Sequence, residues 1–491
     1  MRSALLPFLI ISTLLCGCAP QRPPHIVQAE AFQHRMDAFR VAMDELAGSP
    51  ELVPTTVGIA VWSLDRRDWL YLHNADKLFV PASNAKLLVA VSALRTYGPA
   101  WRFPTTVAAD TTVADSVVSG PVYLLAGGAP DLRSSDVAIL ADRLWASGIR
   151  EIRGPIVLDA TEFDSTAFGP GWMWDEGPYS YNAPLSAAML NDNTITVTVR
   201  PGLNAGDPVR VAVTPRYAGV PVDIRAVTRP DTASGERLTV ERPGNTIVIS
   251  GTMAKSSRPV TVTRTVSDPR AYLAHCFIGE LRHAGIAVPD SVVFAAAPEN
   301  GLVELASVYS APMDVLVRRF LKQSHNLTGE ALLKHLGVTH RGEGSWPAGL
   351  SAIREIVQEY AGIDSMSYRL ADGSGLSRYT ELSPRQITRL LRAAVDDFTI
   401  SPEMLAALPI AGVDGTLSRR LPYGPESGLV RGKTGGMTGV TGISGVMETY
   451  SGERLVFSII MNGFPGSTLS GRRMQDALIQ RLYVAPAWET P

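Results

Sequence analysis

Three groups of residues in this 491-residue chain have types and spacings that can do chemistry. The first is Pro-Ala-Ser-Asn-Ala-Lys at 81–86, followed by the apolar run Leu87-Leu88-Val89-Ala90. The run predicts a helix that starts near Ser83. Residues three apart share a helix face, so the Lys86 amine can reach the Ser83 hydroxyl. A serine hydroxyl is a poor nucleophile until a neighbouring base takes its proton. Lysine can be that base when desolvation or a nearby cation lowers its pKa. The apolar run offers desolvation, and a helix N-terminus disfavours a cation while favouring a developing oxyanion. An N-cap serine followed by a snorkelling lysine is the competing, purely structural reading. Ser-x-x-Lys occurs only here, since no other lysine has a serine three residues before it.

The second group is Val-Arg-Gly-Lys-Thr-Gly-Gly-Met at 430–437, which predicts a strand. Glycines in a strand let a peptide backbone lie close alongside. Lys433 and Thr434 are candidates to hold a substrate carboxylate, and Gly436 to present its N–H to an oxyanion. A glycine-rich bend in an edge strand would read the same way. The third group is Ser324 and Asn326, near a helix start, as candidates to relay a proton and orient a substrate amide. Ser180 and Asn182 offer the same spacing. Ser324 is preferred because it lies in the helical half that must complete the domain of Ser83, whereas Ser180 lies in an inserted segment. Only six of the 45 basic residues are lysines: Lys77, Lys86, Lys255, Lys322, Lys334 and Lys433. Arginine stays charged when buried and lysine need not, so a lysine kept in such a chain is a candidate for proton transfer.

These groups are far apart in the chain, and the intervening elements must assemble them. Residues 27–46 have helical periodicity. Two β-rich runs around Asp65-Arg66-Arg67-Asp68 read as a hairpin. From about 103 to 305, short β-branched runs alternate with Gly/Pro turns, interrupted by helical stretches near 134–148 and 268–285. This reads as a β-rich insert. Helical pattern resumes from about 312, and again in 349–362 and 383–395. Three strand-like runs with tight links, then a helix at 471–483, close the chain. The expected fold class is α/β (α+β), with an antiparallel sheet flanked by helices and interrupted by the insert.

Composition bounds the function. The chain is 45% hydrophobic and 19% charged, as globular proteins are, and its formal charge of −2 implies no nucleic-acid partner. No metal or other cofactor is expected: the eight histidines show no His-Glu-x-x-His. There is no Gly-x-Ser-x-Gly of an α/β-hydrolase. The N-terminus, MRSALLPFLIISTLLCGCAP, has a basic residue and a short apolar run, as a signal peptide does. Its LLCGCA resembles the bacterial lipobox, which implies a signal peptide at 1–17, lipidation of Cys18 and a linker to residue 24. Cleavage nearby with plain secretion is the alternative. Cys276 lies among apolar residues on a predicted helix and reads as a core thiol.

Ser-x-x-Lys, Ser-x-Asn and Lys-Thr-Gly in this order form the motif set of penicillin-binding proteins and serine β-lactamases. Together with GPGWMWDEGPYSYNAPLSA, DGSGLSRYTELSP and LPIAGVDGTL, the chain resembles the low-molecular-mass class C penicillin-binding proteins. These are D-alanyl-D-alanine carboxypeptidase/endopeptidases of the S13 peptidase family. The resemblance implies a discontinuous transpeptidase-like domain at 25–103 and 306–491. It implies an inserted domain at 104–188 and 284–305, and a β-rich one at 189–283. It makes Ser83 the acylated nucleophile, Lys86 its base, and Ser324, Asn326 and Lys433 their catalytic partners. Thr434, Gly435 and Gly436 would bind substrate, with the N–H groups of Ser83 and Gly436 as the oxyanion hole. Leu376, Arg378 and Met437 would line the pocket for the stem-peptide side chain. Asp175 would meet that side chain's amine, with Glu176 as a rival in register.

Two positions depart from the family pattern: Gly436 stands where a threonine is usual, and His325 where Asp or Asn is common. The implied activity is penicillin-sensitive cleavage of D-Ala-D-Ala in peptidoglycan stem peptides, with β-lactams as further ligands. The implied location is the periplasm, on a membrane anchor, the outer membrane being favoured. A β-lactamase-like hydrolase or a catalytically weak wall-binding lipoprotein are the alternatives.

Overall fold

The structure, a computed structural model, describes residues 24–487 except 112, 233, 234, 236 and 466, with side chains described from residue 30 onward. Cys18 and the expected signal segment lie outside the described residues.

The two ends of the chain build one antiparallel sheet. Strands β1 (Thr56–Ser63) and β2 (Asp68–His73) form the expected hairpin. Strands β3 (Val430–Met437), β4 (Val440–Glu448) and β5 (Arg454–Asn462) form the expected meander. The five-stranded order is β3-β4-β5-β1-β2. The two halves join where β1 pairs with β5, from Thr56 opposite Asn462 to Ser63 opposite Leu455.

Alternating side chains give the sheet two apolar faces. Ile59, Val61, Phe457 and Ile459 face helices α1 (Pro24–Ala47) and α7 (Thr468–Tyr483). Val456 and Ile460 face the larger core around helix α2 (Lys86–Tyr97). Every residue of α2 from Lys86 to Leu94 is buried, as befits a helix that is apolar all round. Helices α3 (Met313–Lys322), α4 (Asn326–Arg341), α5 (Trp346–Ala361) and α6 (Pro384–Asp396) surround it.

The helical pattern expected from 312 forms α3 and α4, with Ser324 and Asn326 at the start of the second. Ser324 takes the left-handed region at φ +57, and His325 caps α4 by accepting from the Thr328 N–H.

The insert carries separate sheets. One has five strands, in the order Val292–Phe294, Ile156–Asp159, Val122–Ala126, Pro104–Ala109 and Val303–Tyr309. The others are sheets of two or three strands, among them Thr194–Arg200 between Arg210–Thr214 and Val260–Thr265. Helices Ser134–Ala146 and Pro269–His283 pack on each other. Cys276 is buried on the second of these, and burial pushes its thiol up to about 12. That is the inert core thiol expected.

Candidate active site

Ser83 lies in a 3₁₀ turn, Ala82–Ala85, that runs directly into α2. In a 3₁₀ turn residues i and i+3 eclipse, so the serine and lysine stack more directly than on an α-helix. Ala82, just before the serine, is held at φ +47, a conformation that an L residue adopts only when its surroundings impose it. Those surroundings are the loop at Gly375, which packs on the Ala82 carbonyl, and β3. A Cβ on Gly435 would sit 2.6 Å from both the Pro81 carbonyl and Asn84 Nδ2, and 3.1 Å from the Ser83 nitrogen. Only glycine lets the strand press so closely on the turn. Thus the three motifs meet at the edge of the sheet.

Lys86 Nζ lies 2.9 Å from Ser83 Oγ, 2.7 Å from Asn326 Oδ1 and 2.5 Å from the Ser374 carbonyl. The last two are acceptors only. The Asn326 amide is oriented by its own Nδ2, which donates to the Tyr181 carbonyl at 2.8 Å. A neutral amine has two N–H groups and one lone pair. With both N–H groups directed to these acceptors, the lone pair is left for the Ser83 hydroxyl proton. Burial lowers the Lys86 pKa to about 7, against an opposing pull from the Asp372 and Glu330 carboxylates.

Lys433 is the second buried amine. It donates to Ser324 Oγ at 2.9 Å and to the Thr434 carbonyl at 2.5 Å. Burial, and then the positive charge of Lys86, hold its pKa well below the ordinary lysine value. Because Ser324 accepts from Lys433, its own O–H is free to donate into the cleft.

Two residues that sequence reasoning missed support this arrangement. Asp372 accepts from the N–H groups of Gly375 at 3.1 Å and Ser377 at 2.8 Å, and from Trp172 Nε1 at 3.0 Å. Glu330 accepts from the Gly373 and Ser374 N–H groups at 2.9 and 2.8 Å, and from Trp346 Nε1 at 2.8 Å. Together they set the loop whose Ser374 carbonyl meets Lys86. Burial and the Asp372 charge push Glu330 up to about 7. The available signal was Glu330 itself, an acid within an otherwise apolar helical run four residues after Asn326.

Ser83 opens into two clefts. One, of about 370 Å³, is lined by Leu376, Arg378 and Met437, as expected, together with Tyr181 and Glu176. Asp175 is not there; its side chain is exposed, and Glu176 takes its place. The cause is local. The Glu176 N–H donates to the Met173 carbonyl, a tight turn that leaves residues 173–175 outside, while Tyr181 Oη holds the Glu176 carbonyl. The other cleft, of about 450 Å³, is lined by Ser324, Thr434, Gly435 and Gly436 and by arginines from two further elements.

A sequence model of the D-Ala-D-Ala carboxypeptidase 3 (S13) family matches residues 39–483. The chain belongs to this family. It is 32% identical to the D-alanyl-D-alanine carboxypeptidase of Actinomadura sp. (strain R39), over 98% of this chain and 90% of that one. It is 27% identical to the D-alanyl-D-alanine carboxypeptidase DacB of Haemophilus influenzae, over 87% of this chain and 89% of that one. The crystal structure of penicillin binding protein 4 (dacB) from H. influenzae matches with a TM-score of 0.79 at 25% identity. That match covers 90% of this chain and 99% of the other.

In this S13 chain the rival pair Ser180 and Asn182 forms a 3₁₀ turn beside the site. Tyr181, between them, contributes its carbonyl to Asn326, but it is Ser324 and Asn326 that contact the two lysines. His325 points away from the clefts to Arg319 and Asp192. Burial, and then the Arg319 charge, lower its pKa to about 4, so it is a neutral packing and capping residue.

Proposed function

We propose that this chain is a serine D-Ala-D-Ala carboxypeptidase of peptidoglycan stem peptides that forms an acyl-enzyme on Ser83. The observation that carries the reading is the buried Lys86 amine 2.9 Å from Ser83 Oγ, with two acceptors, Asn326 Oδ1 and the Ser374 carbonyl, placed to take its N–H groups when it is neutral. Ser83 Oγ attacks the carbonyl carbon of the penultimate D-alanine as its proton passes to Lys86 Nζ. The N–H groups of Ser83 and Gly436 hold the oxyanion. As the C–N bond breaks, Ser324 Oγ donates its proton to the leaving amine and regains one from the Lys86 ammonium, which returns Lys86 to the neutral amine, while Lys433 Nζ holds Ser324 Oγ through its hydrogen bond. Water then attacks the ester as Lys86 takes its proton and passes it to Ser83 Oγ, which leaves as the free serine. A β-lactam acylates Ser83 by the same route.

Leu376, Arg378, Met437 and Glu176 hold the side chain of the stem peptide, the Glu176 carboxylate suiting a cationic amine. Cleavage of D-Ala–diaminopimelate crosslinks belongs to the same chemistry. The expected division into a catalytic domain and two inserted domains is supported by the separate sheets. Lipidation at Cys18 and a periplasm-facing membrane anchor rest on the LLCGCA motif; no helix among the described residues is long and apolar enough to cross a membrane. The mass of the native N-terminal peptide tests the anchor: an unacylated Cys18 overturns it.

Labelling with a fluorescent penicillin tests the nucleophile. Wild type should label and Ser83→Ala should not. Release of D-alanine from a D-Ala-D-Ala peptide should follow the same pattern. Labelling that survives in Ser83→Ala would sink the assignment.

A further inference from the structure

Alternate residues of a strand share a face, so positions 434 and 436 of β3 look the same way. Thr434 fills its place in the larger cleft with a hydroxyl that donates to Thr416 Oγ1 at 2.6 Å. Gly436 leaves its place open. An ideal Cβ there would meet only two atoms within 4 Å, the Val440 carbonyl oxygen at 3.9 Å and Arg472 Nη2 at 3.6 Å. A guanidinium from α7 therefore stands over the gap that the glycine leaves beside Ser83.

Its position is built into the packing. Gly436 pairs with Thr441 across the β3–β4 ladder. A Cβ on Gly471 would come within 2.7 Å of Thr441 Cγ2, so glycine lets α7 settle directly on that residue. Arg472 follows Gly471 and is carried over the strand edge. The helix is held there by Arg420, which pairs with Asp476 and donates to the Arg472 carbonyl at 3.2 Å. Among the described residues no carboxylate lies within ion-pair reach of Arg472. Asp476, the acid lining this cleft, is already matched by Arg420. The cleft that Glu176 does not line thus presents a positive charge with no carboxylate in ion-pair reach.

We propose that Arg472 is a specificity residue that binds the terminal carboxylate of the leaving group, in the place that a side chain at position 436 would otherwise serve. This deepens the carboxypeptidase reading and rests on it. A planar guanidinium suits a carboxylate because two N–H groups can meet its two oxygens. The substrate class follows: peptides ending in a free carboxylate, preferred over the same peptides with a neutral C-terminus.

The test compares kcat/KM for a diacyl D-Ala-D-Ala peptide with that for its C-terminal amide, on the full chain. Wild type should prefer the free acid. In Arg472→Ala that preference should fall by about 30-fold, the amount a charge-assisted hydrogen bond commonly supplies. Arg472→Lys should keep part of it. In Arg472→Ala, adding Gly436→Thr should restore part of the preference through a hydroxyl on the same face. An unchanged preference in folded Arg472→Ala overturns the inference and leaves the carboxypeptidase reading intact. A wild type that releases nothing from either peptide and takes no penicillin overturns both.

Discussion

Lys86 and Lys334 are both wholly buried amines, yet their surroundings differ in one respect. Lys334 meets a carboxylate, Asp164, at 2.5 Å and the Thr166 carbonyl at 3.0 Å, with its charge 4.0 Å from the centre of the Trp346 ring. Every hydrogen-bond partner of Lys86 is neutral, and its nearest carboxylates act only through space. Burial lowers the pKa of both, but at Lys334 the Asp164 contact opposes it. Desolvation alone does not make a base; desolvation without a contacting anion does. The two regions are joined by α4. Asn326, Glu330 and Lys334 are spaced four apart on one face of that helix, so a single element carries a partner of the reactive amine, its carboxylate support and the structural amine.

Removing each amine sharpens the contrast. Lys86→Met should slow acylation by penicillin about 10⁴-fold, the loss of a general base. Its melting temperature should fall less than that of Lys334→Met, because only neutral acceptors, Asn326 Oδ1 and the Ser374 carbonyl, lose a donor and no carboxylate is left unpaired. Rapid labelling of that variant would break the comparison. Lys334→Met should instead cost about 2 kcal/mol in urea denaturation, since the Thr166 carbonyl loses its donor and Asp164 its cation. If it slowed acylation as much as Lys86→Met, the structural assignment would fail.

The pH dependence is a subtler probe. Lys86 must be neutral to accept a proton, so the acylation rate should rise with pH through a limb centred near 7. A limb near the ordinary lysine value would show that the amine is not desolvated in solution. The smallest effect is expected from Glu330→Gln. The Glu330 charge raises the Lys86 pKa, so its removal should move the limb to lower pH. A limb that moves upward would reverse the sign of that coupling.

The motif residues were legible because their chemistry is local. Ser83 and Lys86 are three residues apart, and glycines mark the β3 segment. The sheet was legible too, because β1, β2 and β3–β5 carry strong β patterns with short links. The helix start near Ser324 was legible, but not the left-handed backbone there that aims one hydroxyl at Lys433. Asp175 and Glu176 stayed rivals in the sequence because a turn's outward and inward sides have no composition signature; the cleft is lined by Glu176. Glu330 and Asp372 act through backbone N–H groups of a loop, and a sequence does not report where those N–H groups point.

The seam between β1 and β5 has a consequence for how the molecule comes into being. A chain made from its N-terminus first presents Ser83 and Lys86 long before Gly435 exists to close over them. The long-range pairing of Thr56 with Asn462 is among the last contacts that synthesis permits. Until then the turn at Ala82 lacks the strand that closes over it, and Ser324 lacks the Lys433 amine. The nascent polypeptide is therefore chemically quiet, and reactivity toward wall peptides or antibiotics arrives only with its final strands.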